Sequence, residues 1–197
     1  MFKIIAVTNR HLSAGDYFDR LAKIAASDAD AVILREKDLT EEEYELYAKK
    51  AAEICKRAGK TYILHTYVQT AAKLNCGSVH LPLPLLRQLS GSDEKTEKSG
   101  ILQRFHTVGA SVHSPLEAME AERLGADYVT AGHVFATDCK KGLEPRGISF
   151  LEDTVKSVKI PVYAIGGISK KNLQQVKAAG AAGACVMSQM MSGAWYE

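Results

Sequence analysis

A short apolar run followed by an amphipathic one, repeated about eight times from end to end, is the feature that most restricts how this chain can fold. The apolar runs are Ile4 to Val7, Ala31 to Leu34, Thr61 to Leu64, Ser78 to Leu81, Thr107 to Val112, Tyr128 to Ala131, Pro161 to Ile165 and Ala184 to Met187. Runs this short and this apolar suit strands buried on both faces. The segments between them read as helices. Asp16 to Ala26 has apolar residues at helical spacing, and Thr40 with Glu43 forms a capping box before Tyr44, Tyr47, Ala48, Ala51 and Ile54, a helix that Gly59 ends. Val68 to Leu74, a stretch around Leu85 to Leu89, Ile148 to Val158, and a segment from a Ser169 cap to Ala179-Gly180 follow the same logic. Ser114-Pro115-Leu116-Glu117 adds a second capping box with proline at the first helical position. Strands alternating with helices predict an α/β fold with a parallel sheet and right-handed crossovers. Eight units predict closure into a single (β/α)8 TIM barrel. Only Gln189 to Glu197 follows the last strand, so the eighth helix is expected to be truncated.

The polar stretch Ser90 to Gly100 has no periodicity, and the alternation resumes directly after it. It is expected to be a mobile surface loop within one domain spanning residues 1–197. The net charge of +2 is spread without a basic stripe, and no helix-turn-helix signal stands outside the repeat, so nucleic acid is not an expected partner. The apolar start is too short for a signal peptide, and glycines and polar residues interrupt Ala178 to Tyr196, so no membrane association is expected. Four cysteines without metal-ligand or redox spacing suit a reduced, cytoplasmic protein. Cys185 reads as inert core and Cys139 stands in polar company.

A barrel of this kind gathers the C-terminal ends of its strands at one mouth. Those ends would bring together Thr8, Arg35, Lys37, His65, Ser111, His133, Gly167 and Ser188. Gly166-Gly167 lets backbone amides approach an anion, or merely makes a tight turn; Ser188 would open a short helix whose N-terminus favours negative charge. His133, where a strand stops at a polar loop, suits proton transfer, because an unperturbed imidazole titrates near ~6.5; the bland alternative is a histidine bonded to a loop carbonyl. His65 is a second candidate at a strand end. His80 and His113 read as packing or capping residues, His11 and His106 as exposed loop residues. Arg35 either binds a carboxylate or phosphate or pairs with Glu36 or Asp38 across the mouth. Lys140 and Lys141 either close over an anion or form a solvated pair. Tyr44 and Tyr47 read as core and interface.

Four segments carry a family resemblance over nearly the whole chain: Leu34-Arg-Glu-Lys-Asp-Leu39, Ala126-Asp-Tyr-Val129 with Gly132-His-Val-Phe135, Ala164-Ile-Gly-Gly-Ile168 and Ala184-Cys-Val-Met-Ser188. They resemble the thiamine phosphate synthase superfamily. Residues 132–144, Gly-His-Val-Phe-Ala-Thr-Asp-Cys-Lys-Lys-Gly-Leu-Glu, are similar to its TenI branch, the thiazole tautomerases. The resemblance implies isomerisation of a carboxylated dihydrothiazole ethyl phosphate to its aromatic form, a step in thiamine biosynthesis, with His133 as base and then acid. It implies no cofactor and no metal. Arg35 and Lys37 would hold the carboxylate, Gly167, Met187, Ser188 and Thr137 the phosphate, with Lys140 and His65 as further substrate contacts. Synthases of this superfamily hold magnesium on an Asp after the third strand and another after the fourth; here those places read His65-Thr66-Tyr67 and Leu81-Pro82-Leu83-Pro84. Two alternatives stay open: a synthase-type transferase, and a non-catalytic regulatory barrel that binds a thiazole phosphate. The short last helix is expected to leave that flank bare, so that either a partner covers it, most simply in a homodimer, or the ring of helices is incomplete.

Overall fold

The computed structural model describes residues 1–91 and 100–196. Among them eight strands and eight α-helices alternate: β1 (Lys3–Val7), α1 (Tyr17–Ala25), β2 (Ala31–Leu34), α2 (Glu41–Arg57), β3 (Thr61–His65), α3 (Val68–Lys73), β4 (Ser78–Pro82), α4 (Leu83–Ser90), β5 (Thr107–Val112), α5 (Pro115–Arg123), β6 (Tyr128–Gly132), α6 (Gly147–Ser157), β7 (Val162–Ile165), α7 (Leu173–Ala178), β8 (Gly183–Val186) and α8 (Ser188–Ser192). Every strand pairs in parallel with the next. β1 also pairs with β8, Ile5 opposite Cys185, and this closes the expected barrel. Most of the polar stretch Ser90 to Gly100 lies outside the described residues; Ser90 ends α4 and Gly100 begins a 3-10 turn. No helix among the described residues is long and apolar enough to cross a membrane.

Strand alternation divides the core in two. Ile5, Val7, Ile33, Ile63, Tyr128, Tyr163 and Cys185 fill the barrel, while Ile4, Ala6, Val32, Leu34, Val129 and Ala164 face the helices. Two tyrosines fit inside because neighbouring strands carry glycine. A Cβ on Gly109 would lie 2.1 Å from Tyr128 Cζ, and one on Gly183 would lie 2.8 Å from Tyr163 Cδ1. The two rings meet edge to face with centroids 5.4 Å apart.

Several local expectations are corrected. The Thr40–Glu43 box is reciprocal, but the one at Ser114 is only half formed. Ser114 Oγ accepts from the Glu117 N–H, whereas the Glu117 carboxylate takes the His113 N–H at 2.6 Å. Ser169 does not cap α7, which begins after Asn172. The Asn172 side chain accepts from the Ser169 N–H and donates to the Gly167 carbonyl, so these residues build the turn after β7 instead of the helix. The last helix is indeed a five-residue stub. Its flank is not bare, however. Gly193 ends α8 in a left-handed conformation, and Trp195, 2% exposed, folds back into the core between barrel and helices. A second copy is therefore not needed to cover this side.

Candidate active site

At the C-terminal end of the barrel a cavity of about 400 Å³ opens between the strand ends. It is lined by Arg35, Lys37, His65, Ser111, His133, Thr137, Lys140, Gly167, Met187 and Ser188, together with His113, Glu117, Cys139, Gly166 and apolar Val7, Leu83 and Ile168. All the substrate-contact residues expected from the sequence are thus in one place. Thr8 is the exception among the expected strand-end groups: it is fully buried and does not line the cavity.

Thr8 acts one step back. Its Oγ1 accepts the Arg35 N–H at 2.9 Å and donates to Glu36 Oε1 at 2.7 Å, while Glu36 Oε2 accepts the Arg10 N–H at 2.9 Å. Asp38 is held by the Arg10 guanidinium and by His11 Nε2, and the Arg10 guanidinium beside it keeps its carboxyl well below the usual range. Both acids of the Arg-Glu-Lys-Asp segment are therefore committed to the loop after β1. The expected alternative, Arg35 paired with Glu36 or Asp38, is not what forms; no ion pair to Arg35 or Lys37 exists among the described residues. Burial lowers the Arg35 pKa, and burial followed by the proximity of Arg35 and Lys140 lowers that of Lys37. Arg35 Nη1 lies 4.0 Å from Met187 Sδ, which places this positive cluster against the end of β8. Converging cations without their own carboxylates form a site that an anion would neutralise. Arg35→Ala should raise the KM for a bound anionic substrate roughly 10- to 100-fold, since hydrogen bonds to charged groups are worth about 1.5–3 kcal/mol; steady-state kinetics checks this.

His133 follows directly on β6 and is 8% exposed. The backbone around it is stapled twice: Val134 and Phe135 donate to the carbonyls of Ile165 and Gly166, and Arg146 and Gly147 donate back to those of His133 and Val134. The intervening loop carries Thr137, Cys139 and Lys140 to the cavity. His133 Nε2 faces the Leu143 carbonyl at 3.4 Å; a carbonyl only accepts, so this contact favours, for the neutral ring, the tautomer with hydrogen on Nε2 and a lone pair on Nδ1. The loop-carbonyl contact and the cavity position coexist. His113, expected as a packing or capping residue, also lines the cavity. Its Nδ1 donates to the Gly132 carbonyl at 2.8 Å.

Gly166 and Gly167 pass so close to the loop after β6 that no side chain fits. A Cβ on Gly166 would lie 2.2 Å from His133 Cβ, and one on Gly167 would lie 2.3 Å from the Ala136 carbonyl oxygen. The turn thus sets the height of His133 over the cavity.

Beneath the cavity lie His65 and His80, 5% and 3% exposed, with rings stacked at 5.6 Å. The inward face of β4 puts His80 inside the barrel, in keeping with its reading as a packing residue. Burial is the largest cause of a lowered pKa in both, brought down to about 3 for His80, with neighbouring His80, Arg35 and Lys37 adding to the effect at His65. Their folded pKa values lie below the unfolded value near ~6.5, so the unfolded chain binds the extra protons, and stability falls as pH drops from 6.5 towards the folded values. Denaturant melts should show a loss of about 2 kcal/mol per histidine between pH 7 and 5, and His65→Asn should remove roughly half of that slope. Burial likewise raises the Cys185 thiol, as expected for inert core. Tyr44 is core as well: its hydroxyl donates to the Leu34 carbonyl and accepts the His65 N–H, tying β2 to β3 beside the site.

A closed (β/α)8 barrel with a cavity lined by cations and histidines at its C-terminal mouth has the layout in which such barrels carry their small-molecule sites. The thiamine monophosphate synthase family model matches residues 4–190, and the chain belongs to that family. It is 30% identical to the thiamine-phosphate synthase of Syntrophomonas wolfei, over 96% of this chain and 88% of that protein, and 33% identical to the one of Pyrococcus horikoshii, over 96% and 86%. Among solved structures, a thiamine phosphate pyrophosphorylase from Pyrococcus furiosus superposes with a TM-score of 0.80 at 29% identity, covering 97% of this chain and 88% of that one.

Proposed function

We propose that the chain is a thiazole tautomerase of the TenI type, a cytoplasmic enzyme of thiamine biosynthesis. The observation that carries this reading is a buried imidazole, His133, in a cavity where Arg35, Lys37 and Lys140 have no acid of their own among the described residues, while Arg87 at its edge is paired with Glu120. The sole carboxylate lining that cavity among the described residues, Glu117, is engaged by the His113 N–H. His133 Nδ1 would take the proton from the ring carbon bearing the carboxylate. The electron pair moves through the conjugated C=N and C=C bonds to the exocyclic carbon, and that carbon receives a proton from the imidazolium. Nothing is gained or lost overall, and the ring becomes aromatic. Arg35 and Lys37 would hold the carboxylate, and Gly167, Met187, Ser188 and Thr137 the phosphate, with Lys140 closing over an anion. His65 would form the floor.

The names of the relatives favour a second reading, a thiamine-phosphate synthase, in which a pyrophosphate must depart. The residues here do not fit the magnesium ion such chemistry uses. Magnesium takes hard, mostly carboxylate oxygens, and the ends of β3 and β4 offer an imidazole, a hydroxyl and prolines. The deciding experiment gives the purified protein, with chelator and then with magnesium, the dihydrothiazole carboxylate phosphate in one set and the pyrimidine diphosphate with thiazole phosphate in another. Rapid, metal-independent growth of thiazole absorbance supports the tautomerase. Magnesium-dependent pyrophosphate release without aromatisation overturns it in favour of the synthase. Binding without either turnover leaves a regulatory barrel.

A further inference from the structure

Directly under the cavity, four inward-facing side chains form a polar relay inside an otherwise apolar barrel. His80 Nδ1 lies 3.0 Å from Tyr128 Oη, and its Nε2 lies 2.8 Å from Ser111 Oγ. Thr130 Oγ1 lies 3.3 Å from His80 Nε2 and donates to Ser111 Oγ at 3.4 Å. Ser111 alone is half-buried; the other three are buried.

We propose that Tyr128 and His80 are positioning residues that fix the Ser111 hydroxyl as a hydrogen-bond donor into the cavity, so that this point of the floor calls for an acceptor, such as an oxygen of a carboxylate or phosphate, and offers nothing to a group that can only donate. The argument is a count of hydrogens. Burial keeps His80 neutral and Tyr128 protonated, so the imidazole carries one N–H. If that hydrogen were on Nδ1, it would be donated to Tyr128 Oη, and the phenol hydrogen would have to point elsewhere. Tyr128 belongs to the inner apolar cluster with Ile5, Val7, Ile33, Ile63, Tyr163 and Cys185, and its hydroxyl has no other hydrogen-bond partner among the described residues. An unsatisfied buried donor costs about 1–3 kcal/mol. The ring cannot turn away, because it rests against Gly109 where even a Cβ would be 2.5 Å from Tyr128 Oη. Tyr128 therefore donates to Nδ1, and Nε2–H donates to Ser111. With Thr130 also donating to it, Ser111 Oγ has both lone pairs taken and only its hydrogen left, facing the cavity it lines. This holds whichever reaction the site performs.

The test is nitrogen NMR of protein labelled with 15N-histidine, the His80 signals being identified by their loss in His80→Asn. The expected spectrum shows His80 as the Nε2–H form, with Nδ1 bare, from pH 8 to 5; a predominant Nδ1–H form overturns the proposal. Tyr128→Phe should leave His80 a mixture of tautomers and weaken binding of carboxythiazole ethyl phosphate roughly three- to tenfold by calorimetry, the worth of one neutral hydrogen bond. Ser111→Ala should weaken it at least as much and Ser111→Thr should restore it. If Tyr128→Phe lowers only the melting temperature, with tautomer and affinity unchanged, Tyr128 is merely structural and the proposal fails. Should the native protein bind no thiazole phosphate at all, the functional reading fails while the tautomer measurement still decides the relay.

Discussion

His133→Asn is expected to slow aromatisation of the dihydrothiazole carboxylate phosphate by roughly 10²–10⁴-fold in kcat, the range that a general acid–base group contributes. The shorter amide does not reach the place of His133 Nε2, so the contact with the Leu143 carbonyl is lost, but the backbone bonds of Val134, Phe135, Arg146 and Gly147 should still hold the loop after β6 in place. What catalysis loses is the basic nitrogen. KM should therefore move little, because the cations proposed to hold the substrate, Arg35 and Lys37 just after β2 and Lys140 in the loop, are unchanged. Stopped-flow absorbance at saturating substrate, beside calorimetric affinity for the aromatic product, separates the two effects. A variant that keeps native kcat would place the proton transfer elsewhere, with His113 the next group to examine.

Gly166→Ala is expected to lower stability by more than about 3 kcal/mol, a fall of roughly 6–12 °C in melting temperature for a chain of this size, and to cut activity more than a hundredfold. Two penalties add at this position. Gly166 has φ +97°, where a side chain is strained, and its Cβ would overlap His133 Cβ and Cα at 2.2 and 2.7 Å. Gly59 provides the comparison: φ is +65°, yet nothing lies within 4 Å of a Cβ there. Gly59→Ala should cost only about 1 kcal/mol and leave kcat intact. If thermal melts and kinetics found the two variants alike, the close approach of β7 to the β6 loop would not be what fixes the height of His133.

Much of this could be read from the chain alone, and the pattern of success follows physical range. Ala31 to Leu34 and Thr107 to Val112 were placed to the residue because an apolar run and its flanking turns are properties of neighbouring residues. The Thr40–Glu43 box was legible for the same reason, as a motif closed within four positions. The Ser114 box and the Ser169 cap were misjudged where a competing partner stood nearby: the His113 N–H took Glu117, and Asn172 turned back to the Gly166-Gly167 turn. That His65 and His133 line the cavity was legible because they stand where a strand runs out. His113 was not, since its position seemed explained by the cap, and its bond to the Gly132 carbonyl crosses to another strand.

By itself the sequence determined the eightfold alternation, hence the parallel closed barrel, the short last helix and the strand ends from which the site is drawn; these depend on local periodicity and on how a right-handed crossover must pack. Only the tertiary structure decided which groups pair. Register across β1 and β2 gave Glu36 to Thr8 and Arg10, leaving Arg35 and Lys37 without a carboxylate partner among the described residues. Closure of the barrel placed His80 between Tyr128 and Ser111, residues 48 and 31 positions away. Contacts over such separations are set by which strands become neighbours and by how far each is shifted along the next, quantities that no local stretch of sequence contains.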